Sequence, residues 1–357
     1  MKAKVFFTPV SENATVEEQC VAMRKIIAGS KAAAVLSQDD LTGIKIHVGE
    51  KNNVTYIKPA IIREVVEFAK SCGAQPFLTE TSTLYRGERE NAVKHIILAN
   101  EHGFTFEAVG APFICADGLL GNSEIEVEIN GILNKSVKVA RDAVTADSLL
   151  IVSHPTGHMM AGIGAALKNL GMGLASRQGK MRQHSDVKPL VIETKCVKCG
   201  RCVKWCPKDA IAMTETCAKI DTVACIGCGE CLAVCKFSAI KHSWEVDTDV
   251  MQQNMAEHAL GAVIDKVGKV FYFNVLTNMT KECDCMGEAQ HKCMSDIGIM
   301  ASSDPVALDQ ATLDMTAKLS GKNLAEISHE TVNYKAQLIH AAKIGMGSLE
   351  YELVEIK

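Results

Sequence analysis

Two runs of four cysteines are the residues of this 357-residue sequence most suited to chemistry. The first run contains Cys196, Cys199, Cys202 and Cys206, and the second contains Cys225, Cys228, Cys231 and Cys235. Both have the spacing C-x₂-C-x₂-C-x₃-C, which places three thiols on one tight loop and leaves a fourth ligand to come from elsewhere. This pattern predicts two [4Fe–4S] clusters and electron transfer. A pair of zinc knuckles is the alternative, but zinc knuckles take their ligands in pairs.

Residues 188–243 resemble bacterial-type ferredoxins, with "CPKDAI" and "CKFSAI" after the two runs. In ferredoxins with two clusters, the last cysteine of each run binds the other cluster. The resemblance therefore implies one cluster on Cys196, Cys199, Cys202 and Cys235. It implies the other on Cys225, Cys228, Cys231 and Cys206. Lys236 replaces the proline that usually follows the second run, and this change removes no ligand.

Lys168 is the single lysine in the small and apolar stretch "GHMMAGIGAALKNLGMG", residues 157–173. His158 precedes it by ten residues and His184 follows it by sixteen. We expect a helix that begins near residue 158, on which Gly162 leaves room for a ligand close to the backbone. On spacing alone, a tightly packed core helix with a lysine that reaches solvent explains the stretch better than a site.

Two further segments carry groups that suit an anion. The segment "TETSTLYRGER" follows a predicted strand and could wrap a phosphate with Thr81 and Arg86, although a hydroxyl-rich helix N-terminus is equally common. The segment "ASRQGKMRQH" contains Arg177, Lys180 and Arg182, which we expect to form a cationic lip for a phosphate or carboxylate.

A third group of cysteines lies in "KECDCMGEAQHKC". Cys283 and Cys285 form a C-x-C pair that can bind one metal ion, and His291 or Cys293 could complete the ligand set. A reactive thiol pair and two simple loop cysteines are the alternatives.

The sequence around the cysteine runs alternates between short apolar strands and helical segments. Examples are the strand "VFFTPV" before the helix "TVEEQCVAMRKIIAG", and "SVKVARDAVTADSLLIVSHP", which predicts a helix and then a strand. This alternation predicts an α/β layered domain with a largely parallel sheet. The predicted organisation is a first part of this domain over 1–187, an inserted ferredoxin-like module over 188–243, and a second part over 244–357.

Composition excludes several classes of partner. The net charge is −4 and the pI is near 6.3, so nucleic acid and anionic membranes are poor partners. The N-terminus does not have the pattern of a secretory signal, and no apolar run reaches the length of a membrane span. We expect a cytoplasmic protein, because thiols in a reducing compartment bind metals rather than form disulfides.

Five segments carry a resemblance that covers nearly the whole chain. They are "LYRGERENAVKHIILANEHGF", "GAPFICADGLLG", "SHPTGHMMAGIGAALKNLGMG", "ASRQGKMRQH" and "DIGIMASSDPVALDQA". Together they resemble the domain-of-unknown-function-362 family, whose iron–sulfur members carry a ferredoxin module at this point. The activity of that family is poorly defined.

A more distant similarity is to the catalytic domain of the nickel-dependent lactate racemase family, through "HMMAGIGAALK" and the spacing of its flanking histidines. That similarity implies that Lys168 tethers a nucleotide-type cofactor, that His184 binds its metal, and that His158 is the acid/base. The second catalytic histidine of that family has no clear counterpart here, and Asp117 is its nearest stand-in. We adopt the site but not the cofactor.

Three functions follow from these patterns. The favoured one is an iron–sulfur oxidoreductase of an anaerobic lifestyle, which passes electrons between a soluble electron donor or acceptor protein and a small-molecule substrate near Lys168. Its cofactors would be two [4Fe–4S] clusters and a further metal or nucleotide-type cofactor. The second is a racemase-like, non-redox enzyme with a structural ferredoxin insert. The third is an electron carrier or metal-handling protein without chemistry of its own.

Overall fold

A computed structural model describes residues 2–184, 188–225, 227, 229–241 and 247–356. Its strands are β1 Ala3–Pro9, β2 Leu41–Lys45, β3 Gln75–Glu80, β4 Phe113–Cys115, β5 Glu124–Glu128, β6 Ser136–Ala140, β7 Ser148–Ser153, β8 Thr156–His158, β9 Gly162–Gly164, β10 Leu190–Val191, β11 Ile211–Met213, β12 Ala218–Ile220, β13 Ile240–Lys241, β14 Val270–Leu276, β15 Gly298–Ser302 and β16 Tyr351–Glu355.

The α-helices alternate with these strands along most of the chain. They are α1 Val16–Gly29, α2 Pro59–Ser71, α3 Ala92–Glu101, α4 Phe106–Val109, α5 Arg141–Thr145, α6 Ala166–Gly171, α7 Arg177–Gln183, α8 Arg201–Lys204, α9 Glu230–Val234, α10 Thr248–Val263, α11 Pro305–Ser320, α12 Leu324–Ser328 and α13 Lys335–Lys343. Two short 3₁₀ helices cover Ala32–Val35 and Glu193–Lys195. Among the described residues, no helix has the length and apolar character needed to cross a lipid bilayer.

One eight-stranded sheet organises the α/β domain, in the order β16-β1-β15-β14-β7-β2-β3-β4. Among its strands, β15 runs antiparallel to both of its neighbours, and the other pairs of neighbours are parallel. The prediction of an α/β fold with a largely parallel sheet is therefore confirmed. The carboxyl ends of β14, β7, β2, β3 and β4 meet at one edge, which is where open α/β sheets bind their ligands.

The sheet is buried on both faces. Along β7, Leu149 and Ile151 pack into one core with helices α6, α10 and α11, and Leu150 and Val152 pack into a second core with α1 and α2. Side chains alternate between the two faces of a strand, so a strand covered on both sides buries all of its side chains and is mostly apolar. This explains why all residues of β7 and β14 are buried.

The helix predicted to begin near residue 158 is wrong. Strands β8 and β9 form a hairpin there, with His158 paired to Gly162, whose φ of +69° does not fit a helix. Helix α6 begins only at Ala166, because the Asp309 carboxylate of α11 accepts hydrogen bonds from the backbone N–H groups of Ala166 and Leu167, both 2.9 Å long. The segment predicted as helix and strand at 136–155 also contains an additional strand, β6.

Residues 188–241 contain two copies of an internal repeat. Cys225 follows Cys196 by 29 residues, and the left-handed residues Lys198 and Asp209 recur at the same offset as Gly227 and Ser238. Small antiparallel sheets pair β10 with β13 and β11 with β12. The two cysteine runs therefore adopt matching loop conformations. The predicted boundaries at 187/188 and 243/244 fall at or beside residues outside the described ranges.

Candidate functional site

The predicted cluster ligands lie around two separate cavities in residues 188–241. The first cavity is lined by Cys196, Cys199, Cys202 and Cys235. The second is lined by Cys206, Cys225 and Cys231, while Cys228 lies outside the described residues. The last cysteine of each run thus faces the cavity of the other run, as in the crossed arrangement that the sequence predicts.

Backbone N–H groups point at several of these sulfur atoms. Ala210 donates to Cys206 Sγ at 3.2 Å, and the equivalent Ala239 donates to Cys235 Sγ at 3.4 Å. Ala218 donates to Cys196 Sγ, also at 3.4 Å. Such hydrogen bonds favour thiolates over thiols, and hydrogen bonds to sulfur are among the factors that set the potential of an iron–sulfur cluster.

The cysteine arrangement fits a polynuclear group better than a single ion. Tetrahedral zinc needs all of its donor atoms about 2.0–2.3 Å from one point. Within the described part of the chain, no three His, Cys, Asp or Glu side chains converge in this way. All four cysteines of the first cavity are described, and they line the cavity without the convergence that a single tetrahedral ion requires.

A second group of polar residues lies at the carboxyl edge of the main sheet. Lys45 ends β2, Glu80 ends β3, His154 follows β7, and the loop after β14 carries Cys283 and Cys285. The parallel strands bring these residues together from distant parts of the sequence.

Lys168 points into this group. Its Nζ donates to Cys283 Sγ at 3.4 Å, and the backbone N–H of Cys285 donates to the same sulfur at 3.2 Å. The hydrogen bond from the Cys285 side chain and the charge of Lys168 lower the pKa of Cys283 well below its ordinary value, although burial opposes this. The shared hydrogen bond with Cys283 raises the pKa of Cys285 well above its ordinary value. The pair is therefore a thiolate beside a thiol.

The same ion pair determines the charge of the lysine. Burial lowers the pKa of Lys168, but the charges of Cys283 and Cys285 and the hydrogen bond to Cys283 together outweigh burial and raise it overall. Lys168 is thus an ammonium group at neutral pH.

His158 and His184 approach Lys168 from two different elements. Burial, followed by the positive charge of Lys168, lowers the pKa of His158 to about 3, and Cys283 and His184 also act on this ring. The backbone N–H groups of Met160 and Ala161 donate to His158 Nδ1, both at 3.2 Å, so the proton of the neutral ring is on Nε2. His184 is buried at the C-terminus of α7. Lys168 and His184 therefore both lie close enough to His158 for their charges to act on its ring.

Residues 42–314 match the family described as Domain of unknown function (DUF362). This match covers most of the chain. The chain belongs to the DUF362 family. The family predicted from the sequence is thereby confirmed.

Two solved structures are similar to this DUF362 protein at 12% sequence identity. The lactate racemase apoprotein from Thermoanaerobacterium thermosaccharolyticum aligns over 89% of this chain and 58% of its own, with a TM-score of 0.44. A structural-genomics protein from Thermotoga maritima aligns over 81% of this chain and 56% of its own, with a TM-score of 0.40. The DUF362 chain thus spans less than two thirds of either protein. No curated protein matches the sequence.

Two contacts of the His154 ring in the DUF362 site were not predicted. His154 Nδ1 lies 2.7 Å from Asp284 Oδ2, and His154 Nε2 lies 2.8 Å from the Thr277 carbonyl oxygen. Burial lowers the pKa of His154, but Asp284 outweighs burial and raises it overall. The resulting ion pair fixes the loop that carries Cys283 and Cys285.

A buried charge network behind the site was also missed. Arg89 lies between Glu50 at 3.4 Å and Glu80 at 3.1 Å, and His95 lies 3.3 Å from Glu80. The His95 side chain is fully buried. The sequence contained one signal for this network, which is the alternation of Lys45 and His47 with apolar residues in "GIKIHVG". Charged residues at the end of a buried strand indicate a site.

Lys45 connects this network to Lys168. Burial lowers the pKa of Lys45 to about 8, and its Nζ donates to Asn169 Oδ1 at 2.6 Å. Asn169 also donates to Ser153 Oγ at 3.0 Å, at the end of β7. These contacts fix the helix turn that carries Lys168.

The predicted anion segments are arranged differently from the expectation. Thr81 is buried and accepts a hydrogen bond from Lys180, whose Nζ also donates to the Ser82 carbonyl oxygen at 2.8 Å. Arg182 lies at the surface, 3.3 Å from Glu126. The predicted anion-binding group of Arg177, Lys180 and Arg182 therefore does not form, because Lys180 hydrogen-bonds α7 to the loop after β3.

Arg86 and Arg177 do lie together, in a cavity between the sheet domain and residues 188–241. Asp117 accepts a hydrogen bond from the Ser82 backbone N–H at 2.8 Å, and the charges that act on it are those of Lys180 and Arg177. Asp117 therefore interacts electrostatically with two basic residues of α7. Cys293 is hydrogen-bonded through its backbone to Met279, and the side chain that acts on its thiol is that of Ser328.

Proposed function

We propose that this DUF362 protein is an iron–sulfur oxidoreductase that passes electrons through two [4Fe–4S] clusters to the site around Cys283 and Lys168. In this proposal, residues 188–243 are a ferredoxin-like module inserted between the two parts of the α/β domain, 1–187 and 244–357. The observation that carries it is the pair of cavities, each lined by cysteines of both runs.

Seven of the eight proposed cluster ligands are described, and they line the two cavities. Cys196, Cys199, Cys202 and Cys235 would hold the first cluster, and Cys206, Cys225, Cys228 and Cys231 the second. When bound, each cluster supplies reversible one-electron transfer. The N–H groups of Ala210, Ala218 and Ala239 donate to three of these sulfur atoms, and such hydrogen bonds help to set the potential of a bound cluster.

Helix α7 connects the second cavity with the Lys168 site. A Cβ atom on Gly229, which lines this cavity, would lie 2.6 Å from Cγ of Met181, so the two segments are in direct contact. The helix ends at His184, and its seven residues are about 10 Å long. This contact supports electron transfer from the module to the sheet domain.

We propose the thiol pair as the electron acceptor within the chain. Both Cys283 and Cys285 are free thiols in the structure. Closing a disulfide from the Cys283 thiolate and the Cys285 thiol would release two electrons and one proton, and reopening it would consume them. Lys168, an ammonium group that donates to Cys283 Sγ, can supply the proton that reopening consumes. Because a third donor does not converge on the pair within the described residues, we derive no step through a further metal.

Two alternatives remain distinguishable from this proposal. A racemase-like enzyme would use Lys168 to tether a cofactor, and a carrier would use neither Lys168 nor Cys283. The hydrogen bond of Lys168 to Cys283 favours a role in thiol chemistry over a tether. An intact mass equal to that of the bare chain would exclude a covalent adduct on Lys168.

Iron analysis of anaerobically purified protein tests the cluster proposal. We expect about eight irons per chain and an absorption that bleaches on reduction. Cys196→Ala should lose about half of the iron, because it removes a ligand of one cluster. Cys217→Ala is the matched control, since Cys217 lies between the runs and lines neither cavity. A wild-type protein without iron, or equal iron in Cys196→Ala and Cys217→Ala, would contradict the proposal.

A further inference from the structure

A large cavity lies between the sheet domain and residues 188–241, apart from the Lys168 site. Its volume is about 800 Å³, within the range of small-molecule binding sites. Tyr85, Arg86 and Arg177 line it from the sheet domain, and Trp205 and Leu232 line it from the module. Both parts of the chain are therefore needed to form it.

The lining of this cavity is strongly basic although the chain as a whole is acidic. Seven of its nineteen lining residues are Lys or Arg, against one carboxylate, Glu90. Glu90 is already paired with Arg86 at 3.2 Å and with Lys94 at 2.9 Å. Such an excess of one charge in a concave surface concentrates ligands of the opposite charge.

Several of these basic groups are available to a ligand. Arg177 is buried and fixed, because its Nε donates to the Thr83 carbonyl oxygen at 3.0 Å. Within the described residues, by contrast, the side chains of Arg201, Lys204 and Lys236 form neither a hydrogen bond nor an ion pair. Cations gathered around a cavity without carboxylate partners repel one another, and an anion would relieve this repulsion.

The same cavity has an aromatic and aliphatic wall. Trp205 is 42% exposed, although tryptophan usually buries most of its surface. Leu232, Val234 and Ile240 line the cavity beside it. A flat ring can stack on an exposed indole, and neighbouring cations can bind phosphate oxygens. The combination suits a ligand with both groups.

We infer that this cavity binds a nucleotide, with its phosphates on Arg201 and Lys204 and its ring on Trp205. The ligand would lie against the wall that contains Cys235, a proposed ligand of the first cluster. Nucleotide binding at this cavity goes beyond the proposed function. Only the statement that the nucleotide lies close to a cluster rests on the proposed function.

Titration of the anaerobic, iron-loaded chain with FMN, ATP and inorganic pyrophosphate tests this inference. Arg201→Glu/Lys204→Glu should weaken the binding of both nucleotides by at least about tenfold, because two charge-assisted hydrogen bonds are replaced by repulsion. Lys219→Glu/Lys318→Glu makes the same change of charge at exposed positions that do not line the cavity, and should retain binding. Trp205→Leu should weaken the binding of both nucleotides about threefold or more but leave the binding of pyrophosphate unchanged.

Iron content is measured for every variant, so that loss of clusters is distinguished from loss of binding. If Arg201→Glu/Lys204→Glu loses iron, Lys195→Glu/Lys241→Glu replaces it, because both lysines line the same cavity. Full iron with no nucleotide binding, or equal weakening by the cavity and control pairs, would overturn the inference. Pyrophosphate binding as tight as that of nucleotides, with no effect of Trp205→Leu, would also overturn it.

Discussion

At the scale of single residues, the buried contact between Lys168 and Cys283 determines what the site can do. Cys283 is 5% exposed, and the ammonium group of Lys168 donates to its sulfur atom. The cysteine runs could be predicted from sequence because their ligands are close in the chain. The partners of Cys283 could not, since Lys168 is 115 residues away, and His154 is 130 residues from Asp284.

This ion pair predicts how the reactivity of Cys283 depends on pH. The folded-state pKa of Cys283 is depressed, so its thiolate persists to lower pH than that of an ordinary cysteine. The rate of alkylation of Cys283, followed by peptide mass mapping, should fall less between about pH 8 and pH 6 than that of a free thiol. Lys168→Met should raise the pKa of Cys283 and slow its alkylation at about pH 6 by at least about threefold.

Lys318→Met is the control for that experiment, because Lys318 is exposed and lies on α11, away from the thiol pair. It should retain the wild-type pH profile. An unchanged profile in Lys168→Met would show that the ammonium group does not stabilise the thiolate.

At the scale of elements, local signals predicted helix starts better than they predicted the site. Thr15 and Glu18 form a capping box at the start of α1, and Pro59 begins α2, both within predicted helices. The start of α6 could not be predicted, because its N-terminus is capped by Asp309, 143 residues from Ala166. A cap supplied by another helix leaves no pattern in the local sequence.

Removal of this cap tests the role of Asp309. Asp309→Ala leaves the buried N–H groups of Ala166 and Leu167 without their acceptor, and should lower the free energy of unfolding by about 2 kcal/mol or more. Asp314→Ala, on the exposed face of the same helix, should cost about 0.5 kcal/mol or less. Urea denaturation measures both. Equal destabilisation by the two variants would show that the cap does not position α6.

At the scale of the whole molecule, the sheet presents one site and residues 188–241 provide the proposed source of electrons. The module has a small core of its own, in which three of the seven buried apolar residues are cysteines of the two runs. The sequence predicts both parts but not their contact, because the packing of Gly229 against Met181 depends on how two separately recognisable folds meet. Helix α7 makes this contact and ends at His184.

The most direct test follows electrons from the clusters to the thiol pair. The Cys283–Cys285 pair is first oxidised to a disulfide, the clusters are photoreduced under anaerobic conditions, and free thiols at the pair are counted by alkylation. Wild type and Cys217→Ala should regain two thiols per chain, whereas Cys206→Ala, which lacks a ligand of the second cluster, should not. A disulfide that stays closed in wild type with reduced clusters, or opens equally in Cys206→Ala, would contradict the account.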